Sequence, residues 1–241
     1  MDIKNISLDS TNHSSLTIYQ SSTNVDLPGI VVIGGGSYQK LQERDTERVA
    51  LQFATQAFQS FVVNYPTEEY KNYEDAKKAI EQAFSYIAEH ASQLQVNLNK
   101  LGIIGFSAGG QLAAAYSNQT NTLAKFTMLG YPVIKPTLDE KMGVKSEDVS
   151  QLVTQETPPT FIWGAVNDQL TPYLEHIHGY VEALAQNNVA FEVHEFGTGD
   201  HGISLANKWT SVVNGDRSDQ HMSRWFPLGI EWLQKVVGTN K

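Results

Sequence analysis

One stretch of the chain decides the fold, and it reads Leu101-Gly102-Ile103-Ile104-Gly105-Phe106-Ser107-Ala108-Gly109-Gly110-Gln111-Leu112-Ala113-Ala114-Ala115. Its first part, residues 101–105, is an apolar run that predicts a buried strand. Its last part, from Ala108 onward, is rich in alanine and predicts a helix. The turn between them carries the pattern G-x-S-x-G, with Ser107 at its centre. The stretch therefore predicts a strand, a sharp turn and a helix in immediate succession.

This setting gives the G-x-S-x-G pattern a chemical meaning, because a strand–turn–helix context is what a nucleophile elbow requires. The turn forces its central residue toward strained dihedral angles, and the flanking glycines remove side chains that would collide with the helix and the neighbouring strand. Ser107 is then held at a helix N-terminus, where the dipole and free amides stabilise negative charge. Ser107 is the candidate nucleophile. The alternative is a Gly-Ser turn that only connects two elements.

Strands and helices alternate along the rest of the chain. Strands are predicted at residues 15–19, 30–33, 60–65, 101–105, 125–129, 160–163 and 191–196. Helices are predicted at residues 49–58, 73–89, from 108 onward, 172–186 and 225–236. Parallel strands need crossover helices that cover both sides of the sheet, so the predicted class is α/β, with a mostly parallel central sheet and helices on both faces. No repeat or linker divides it, and residues 1–241 are predicted to form a single domain.

The alternation breaks between Pro132 and Pro159, where a charged segment at about 133–158 contains Lys135, Asp139 and Glu140. Two interpretations of this segment stay open. It is either a small lid over the site or a solvated loop, since long surface loops cost little extra entropy.

Composition excludes several classes of function. The chain has 17 Lys and Arg against 26 Asp and Glu, a net charge of −9, which repels nucleic acid. It has no cysteine, so thiolate nucleophiles and thiolate metal sites are excluded and any nucleophile is an oxygen or an amine. The start, Met1 to Asn5, lacks a secretory signal, and no stretch is long and apolar enough to span a membrane. We expect a soluble, cytoplasmic protein.

A serine nucleophile needs a base, and His201 is the candidate among seven histidines. In α/β folds, functional groups collect beyond the carboxyl ends of the strands. His201 follows the predicted strand at 191–196 through a glycine-rich loop, whereas the histidines at 90, 176, 178 and 194 fall within or at the end of predicted elements. Its position therefore favours His201.

The base in turn needs an acid that fixes its tautomer, and Asp168 fits the chain order Ser, Asp, His. Asp168 lies just past the predicted strand at 160–163, at the same edge of the sheet as the His201 loop. Asp200 is the rival. A residue adjacent to His201 in an extended loop points its side chain away, so we favour Asp168.

Three glycines, Gly34 to Gly36, end the strand at 30–33. At that place backbone amides can approach an oxyanion without obstruction, with the amide of Ala108 as the partner donor. A phosphate-binding loop would need a later glycine or a Gly-Lys-Ser/Thr ending, and no lysine follows directly. Nucleotide binding is therefore disfavoured.

These motifs together resemble the α/β-hydrolase esterases of the BD-FAE/acetyl-xylan-esterase-like group. The likeness spans about residues 28–233 and rests on Gly34-Gly35-Gly36-Ser37-Tyr38, Gly105 to Ala113, Pro158 to Trp163 with Asp168, and His201 to Ala206. The resemblance implies a Ser107, Asp168 and His201 triad, an oxyanion hole from the Gly35, Gly36 and Ala108 amides, and short-chain carboxylesterase activity, often on acetylated sugars. Ile33 stands where hormone-sensitive-lipase relatives carry a histidine, which argues against that subgroup.

The leading hypothesis is a serine carboxylesterase that acts on a small-molecule ester and needs no cofactor. An amidase or peptidase on the same fold and a catalytically silent ligand-binding protein are the alternatives. We expect acetyl to butyryl esters to be preferred, because Tyr38, Tyr65 and Tyr131 fall near strand ends where they can narrow the acyl pocket. A homo-oligomer stays open on the sequence alone.

Overall fold

The computed structural model describes residues 1–211 and 217–238 of the chain, in which helices pack on both faces of an eight-stranded sheet. The strands are β1 (Asp2–Asp9), β2 (Ser14–Gln20), β3 (Leu27–Ile33), β4 (Gln59–Asn64), β5 (Val96–Phe106), β6 (Thr127–Gly130), β7 (Thr160–Ala165) and β8 (Phe191–Phe196). The helices are α1 (Glu47–Ala54), α2 (Tyr73–Glu89), α3 (Ala91–Leu94), α4 (Ala108–Ser117), α5 (Asp139–Met142), α6 (Gly179–Gln186), α7 (Lys208–Ser211) and α8 (Trp225–Val236). Helical single turns lie at Glu43–Asp45, Glu68–Tyr70, Pro136–Leu138, Val149–Leu152, Leu174–His178 and Met222–Arg224.

The strands lie in the order β1-β2-β4-β3-β5-β6-β7-β8. The pairs from β4 to β8 are parallel, while β2 pairs antiparallel with both β1 and β4 at one edge of the sheet. The predicted α/β class, a mostly parallel sheet with helices on both faces, is confirmed.

Side-chain alternation along the central strands divides the core into two layers. In β3, Val31 and Ile33 belong to the layer that packs under α2, α4 and α6. Ile30 and Val32 point the other way, into the layer that packs under α1 and α8. All four side chains are fully buried. A strand covered on both faces reads as a continuous apolar run, which is why residues 30–33 were recognisable in the sequence.

The register aligns the carboxyl ends of the central strands at one edge. Ile33 of β3 pairs with Gly105 of β5, and Gly130 of β6 pairs with Trp163 of β7. The segments that follow β3, β5, β7 and β8 therefore leave the sheet side by side, and these are the segments that contain the predicted site residues.

The structure differs from the prediction at the first strand and at the helix predicted over 172–186. Strand β1 was not predicted, because most of its residues are exposed and it lacks a regular apolar alternation. The predicted helix at 172–186 is divided into a π-helical turn, Leu174–His178, and helix α6. Parts of the predicted domain at 212–216 and 239–241 lie outside the described residues.

The segment at about 133–158 contributes apolar side chains to the core. Its apolar residues Ile134 and Val149 are fully buried, and Met142 and Val153 are nearly so, all within the core layer under α4. Charged residues dominate its sequence, but the few apolar ones anchor it. The segment is thus part of the core on that face.

No candidate for a membrane-crossing helix occurs in residues 1–211 and 217–238.

Candidate active site

The turn between β5 and α4 holds Ser107 in a strained conformation. Its φ is 53° and its ψ −121°, which are dihedral angles that a non-glycine residue rarely adopts. The Ser107 amide donates to the Gly130 carbonyl of the neighbouring strand (3.0 Å), and the Ser107 carbonyl accepts from the amide of Gly110 in α4 (2.9 Å). These bonds hold the turn from both sides, and Ser107 is 7% exposed.

The flanking glycines are required by close packing. A Cβ at Gly105 would lie 2.2 Å from the Gly109 carbonyl oxygen. A Cβ at Gly109 would lie 2.3 Å from the carbonyl oxygen of Ile33 and 2.4 Å from that of Gly34. All three distances are far inside van der Waals contact with backbone atoms, which cannot move without shifting α4 or β3. Helix α4 therefore approaches the strand end more closely than any residue other than glycine permits.

Replacing Gly109 with alanine is expected to lower the free energy of unfolding by about 2–4 kcal/mol, because an added methyl group overpacks the backbone of β3. The matched control is Gly197→Ala, since a Cβ at Gly197 has no heavy atom within 4 Å. That variant is expected to change the free energy of unfolding by less than about 0.5 kcal/mol. Urea denaturation of both variants measures the difference, and equal values would contradict the packing described for the turn.

The structure brings Ser107, His201 and Asp168 into one hydrogen-bonded chain. His201 Nε2 lies 2.8 Å from Ser107 Oγ, and His201 Nδ1 lies 2.7 Å from Asp168 Oδ2. An ionised carboxylate only accepts hydrogen bonds, so Nδ1 carries the proton and Nε2 is left to accept from the Ser107 hydroxyl. This is the tautomer in which a histidine can remove a proton from serine.

Asp168 is itself held by its own loop. Its Oδ1 accepts from the backbone amides of Leu170 (2.8 Å) and Thr171 (3.0 Å), and its Oδ2 accepts from the Thr171 hydroxyl (3.0 Å). Burial alone would raise the pKa of Asp168, but the hydrogen bond and charge of His201, with the two backbone amides, outweigh it and hold the pKa below its ordinary value. Asp168 is therefore ionised at neutral pH.

Sequence reasoning missed Thr171. Its hydroxyl lies 3.0 Å from Asp168 Oδ2 and 3.2 Å from His201 Nδ1, so it borders the link between the two side chains. The Asp-x-x-Thr spacing is a signal that could have found it, because an aspartate before a turn commonly accepts from the amide three residues on.

The rival acid, Asp200, is placed elsewhere. Its side chain is 71% exposed and lies 3.4 Å from the guanidinium of Arg217. Arg217 also donates to the His201 carbonyl oxygen (2.9 Å). Asp200 thus faces solvent and an arginine on the outside of the loop, whereas Asp168 faces the imidazole.

The turn at Gly34 to Gly36 runs directly beside Ser107. A Cβ at Gly35 would lie 3.1 Å from the Ser107 Cβ, and Gly36 has a φ of +134°. No hydrogen bond among residues 1–211 and 217–238 uses the amide of Gly36 or of Ala108 as donor. Both amides are accordingly available to a negatively charged oxygen bound beside Ser107.

The three tyrosines that were expected to narrow the acyl pocket are buried in the interior. Tyr38, Tyr65 and Tyr131 are all 2% exposed or less. Their hydroxyls donate within the protein, to Gln111 Oε1, the Gly34 carbonyl oxygen and Asp45 Oδ1 respectively. A buried tyrosine needs a hydrogen-bond partner for its hydroxyl, and in these three tyrosines the partner is an interior group of the protein.

No group of three or more His, Cys, Asp or Glu side chains that could hold a metal ion occurs in the described part of the chain.

Comparison with known proteins gives a family match over the first half of the chain and structural matches over nearly all of it. The BD-FAE family model matches residues 16–129. MGS-M1, an α/β-hydrolase enzyme from a Medee basin deep-sea metagenome library, is 30% identical, with a TM-score of 0.91 over 99% of this chain and 98% of its own. The carboxylesterase Cest-2923 from Lactobacillus plantarum WCFS1 is 25% identical, with a TM-score of 0.89 over 98% of each chain.

Two longer proteins match over part of their length. The acetylxylan esterase of Xylanibacter ruminicola is 28% identical over 220 residues, and the match covers 82% of this chain and 45% of the esterase. Endo-1,4-beta-xylanase B of Butyrivibrio fibrisolvens is 27% identical over 226 residues, and the match covers 80% of this chain and 35% of the xylanase. The chain therefore spans less than half the length of the curated relatives it matches.

Proposed function

Since the chain belongs to the α/β-hydrolase superfamily, in its BD-FAE/acetyl-xylan-esterase-like group, we propose that it is a serine carboxylesterase that hydrolyses short-chain acyl esters, acetylated carbohydrates among them. The observation that carries the proposal is the unbroken hydrogen-bonded chain from Asp168 through His201 to Ser107. A serine that only connected a strand to a helix would need neither the imidazole 2.8 Å from its hydroxyl nor the carboxylate behind that imidazole.

In the proposed mechanism, Ser107 Oγ attacks the ester carbonyl while its proton passes to His201 Nε2. The carbonyl oxygen becomes an oxyanion, which the amides of Ala108 and the Gly34–Gly36 turn stabilise. The imidazolium then gives its proton to the leaving alcohol, and an acyl-Ser107 ester remains. Water attacks that ester by the reverse route, which releases the acid and restores the Ser107 hydroxyl.

Asp168 supports this chemistry in two ways. It fixes the Nδ1–H tautomer of His201, and its charge stabilises the imidazolium that forms in each half-reaction. Its lowered pKa keeps it ionised while the histidine is protonated, so the proton stays on the imidazole.

The choice of ester over amide, and of acetyl over longer acyl groups, rests on the relatives. An acetylxylan esterase and a carboxylesterase are among the proteins this chain is similar to. The proposed substrate is accordingly a small-molecule ester, and a carbohydrate acetate is its foremost class.

The experiment that tests the proposed function is a substrate panel with a parallel labelling assay. Nitrophenyl acetate, acetylated xylo-oligosaccharides and matched nitroanilides are assayed with the wild type, and a fluorophosphonate probe reports a reactive serine. We expect labelling and turnover of both ester classes. Turnover of the anilides alone would indicate an amidase, and no labelling with no turnover would indicate a catalytically silent ligand-binding protein.

Acyl length is expected to matter in a defined direction. Val149 and Val153, the apolar residues that could have lined a trough for a long acyl chain, are already buried in the core. With a hydrophobic groove, each further methylene would gain about 0.8 kcal/mol. Without one, kcat/KM for octanoyl esters is expected to be at least about tenfold below that for acetyl to butyryl esters. A kcat/KM series on nitrophenyl esters that rises through decanoyl would contradict this expectation.

A further inference from the structure

A buried carboxylate outside the proposed triad lies under the site. Asp45 ends the helical turn Glu43–Asp45, which follows the glycine turn, and it is 1% exposed. Its nearest cation, Arg44 Nε, is 3.8 Å away. Burial raises the pKa of its carboxyl to about 6, because Arg44 and the Tyr131 hydroxyl offset the burial only in part. A buried charge with so few compensating partners lowers the stability of the fold. A functional role would explain why Asp45 occupies this position.

Asp45 is linked to the histidine loop through one tyrosine. Asp45 Oδ1 accepts from the Tyr131 hydroxyl (3.2 Å), and the same hydroxyl oxygen accepts from the Ser204 amide (2.9 Å). The Tyr131 ring packs edge-on against the His201 imidazole, with 4.9 Å between the ring centroids. With its single hydrogen committed to Asp45, the hydroxyl has its lone pairs directed to Ser204. The carboxylate therefore sets the orientation of the group that holds the loop.

The residue before Asp45 fastens the same loop a second time. Arg44 Nε donates to the Gly202 carbonyl oxygen (2.6 Å), and the Ser204 hydroxyl donates to the Arg44 carbonyl oxygen (2.5 Å). Three hydrogen bonds thus tie the Gly202–Ser204 segment, which directly follows His201, to Arg44 and Tyr131.

Asp45 also borders the glycine turn. A Cβ at Gly35 would lie 3.1 Å from Asp45 Oδ2 and, equally, 3.1 Å from the Ser107 Cβ. The carboxylate and the nucleophile therefore both border the space that a side chain at Gly35 would occupy. One buried side chain is in contact with the segment that carries the proposed oxyanion donors and, through Tyr131, with the segment that carries the proposed base.

We propose that Asp45 is a positioning residue that acts through the Tyr131 hydroxyl to hold His201 in line with Ser107. It touches neither substrate nor reacting atoms, and its task is to accept the Tyr131 hydrogen bond. This inference rests on the proposed function, because it concerns the geometry of the same base and nucleophile.

The test is a double-mutant cycle with Asp45→Ala and Tyr131→Phe. Each single variant is expected to lower kcat on nitrophenyl acetate about 10- to 30-fold with KM within about twofold, since small misplacements of a catalytic group reduce rate rather than binding. The double variant is expected to lose no more than the worse single variant, because both changes break one chain of hydrogen bonds. Independent losses would instead multiply to at least about 100-fold.

Asp45→Asn serves as the conservative rescue. An asparagine keeps an acceptor oxygen for Tyr131, so kcat is expected within about threefold of wild type. Tyr180→Phe is the matched control, since Tyr180 is equally buried but its hydroxyl donates to Asn118, beyond the end of α4. It is expected to leave kcat unchanged. Rates are divided by the concentration of active sites titrated with the fluorophosphonate, so that partial misfolding does not mimic a loss of kcat. If Asp45→Ala does not fold, the comparison of Tyr131→Phe with Asp45→Asn decides the test.

The inference is overturned if both single variants keep kcat within twofold of wild type, or if their losses multiply in the double variant. Its failure is distinguishable from failure of the proposed function. A wild type that reacts with the fluorophosphonate but hydrolyses no ester would refute the esterase proposal alone, and the rate constant of labelling then replaces kcat in the same cycle. A wild type that is not labelled would refute both.

Discussion

Replacing Ser107 with alanine is expected to lower kcat for ester hydrolysis by about 10⁶-fold, the order found when a triad nucleophile is removed. In the proposed mechanism, the hydroxyl 2.8 Å from His201 Nε2 is the group that forms the acyl-enzyme, and alanine leaves nothing to acylate. The residual rate is what the oxyanion donors and binding supply without a nucleophile. Initial-rate assays on nitrophenyl acetate measure the loss of kcat, and circular dichroism checks that the variant keeps its fold.

The matched control is a serine at the other end of the same helix. Ser117 is buried in α4, and its hydroxyl accepts from the Thr127 hydroxyl (2.6 Å). Ser117→Ala is expected to cost about 1 kcal/mol of stability and to leave kcat within about twofold. If the Ser107→Ala variant were as active as the Ser117→Ala variant, Ser107 would not be the nucleophile.

Replacing Asp168 with asparagine is expected to lower kcat by about 10⁴-fold, because an amide donates to Nδ1 and so favours the wrong tautomer of the histidine. Asp168 Oδ2 lies 2.7 Å from His201 Nδ1, and its lowered pKa shows that the protein stabilises the ionised form. The change conserves volume in a side chain that is 6% exposed. The loss is therefore expected to come from the chemical steps and not from misfolding, and to appear in kcat with little change in KM.

Asp200→Asn is the matched control, since Asp200 neighbours His201 in sequence but its side chain pairs with Arg217 at the surface. It is expected to change kcat by less than about threefold. The comparison is a ranking within one assay series. A larger loss of kcat for Asp200→Asn than for Asp168→Asn would assign the role of supporting acid to Asp200.

Much of the fold was predictable because the central strands are covered on both faces and therefore read as apolar runs. Residues 30–33 and 160–163 are examples, and the α/β-hydrolase fold that the resemblance implied is confirmed by the structural relatives. Strand β1 was not predicted because an exposed edge strand needs no apolar pattern. In the segment at 133–158, the many charged residues give no signal in the sequence for the few buried apolar ones, such as Ile134 and Val149.

The three residues of the proposed triad could be singled out because each follows a strand, and the sheet brings strand ends together. A residue that acts through contacts between distant segments gives no such signal. Asp45 and Tyr131 are 86 positions apart, and their hydrogen bond exists only once the helical turn Glu43–Asp45 and the end of β6 are packed together. Nothing in the run around Asp45 distinguishes it from an ordinary surface aspartate.

The central claim, that Ser107 is a nucleophile activated by His201, is tested most directly by locating a covalent adduct. The wild-type protein is reacted with a fluorophosphonate, digested, and the modified peptide is sequenced by mass spectrometry. We expect a single adduct, on Ser107, that is absent when the protein is first unfolded, since only the folded site holds the imidazole 2.8 Å from the hydroxyl. An adduct on another serine, or none on the folded protein, would contradict it.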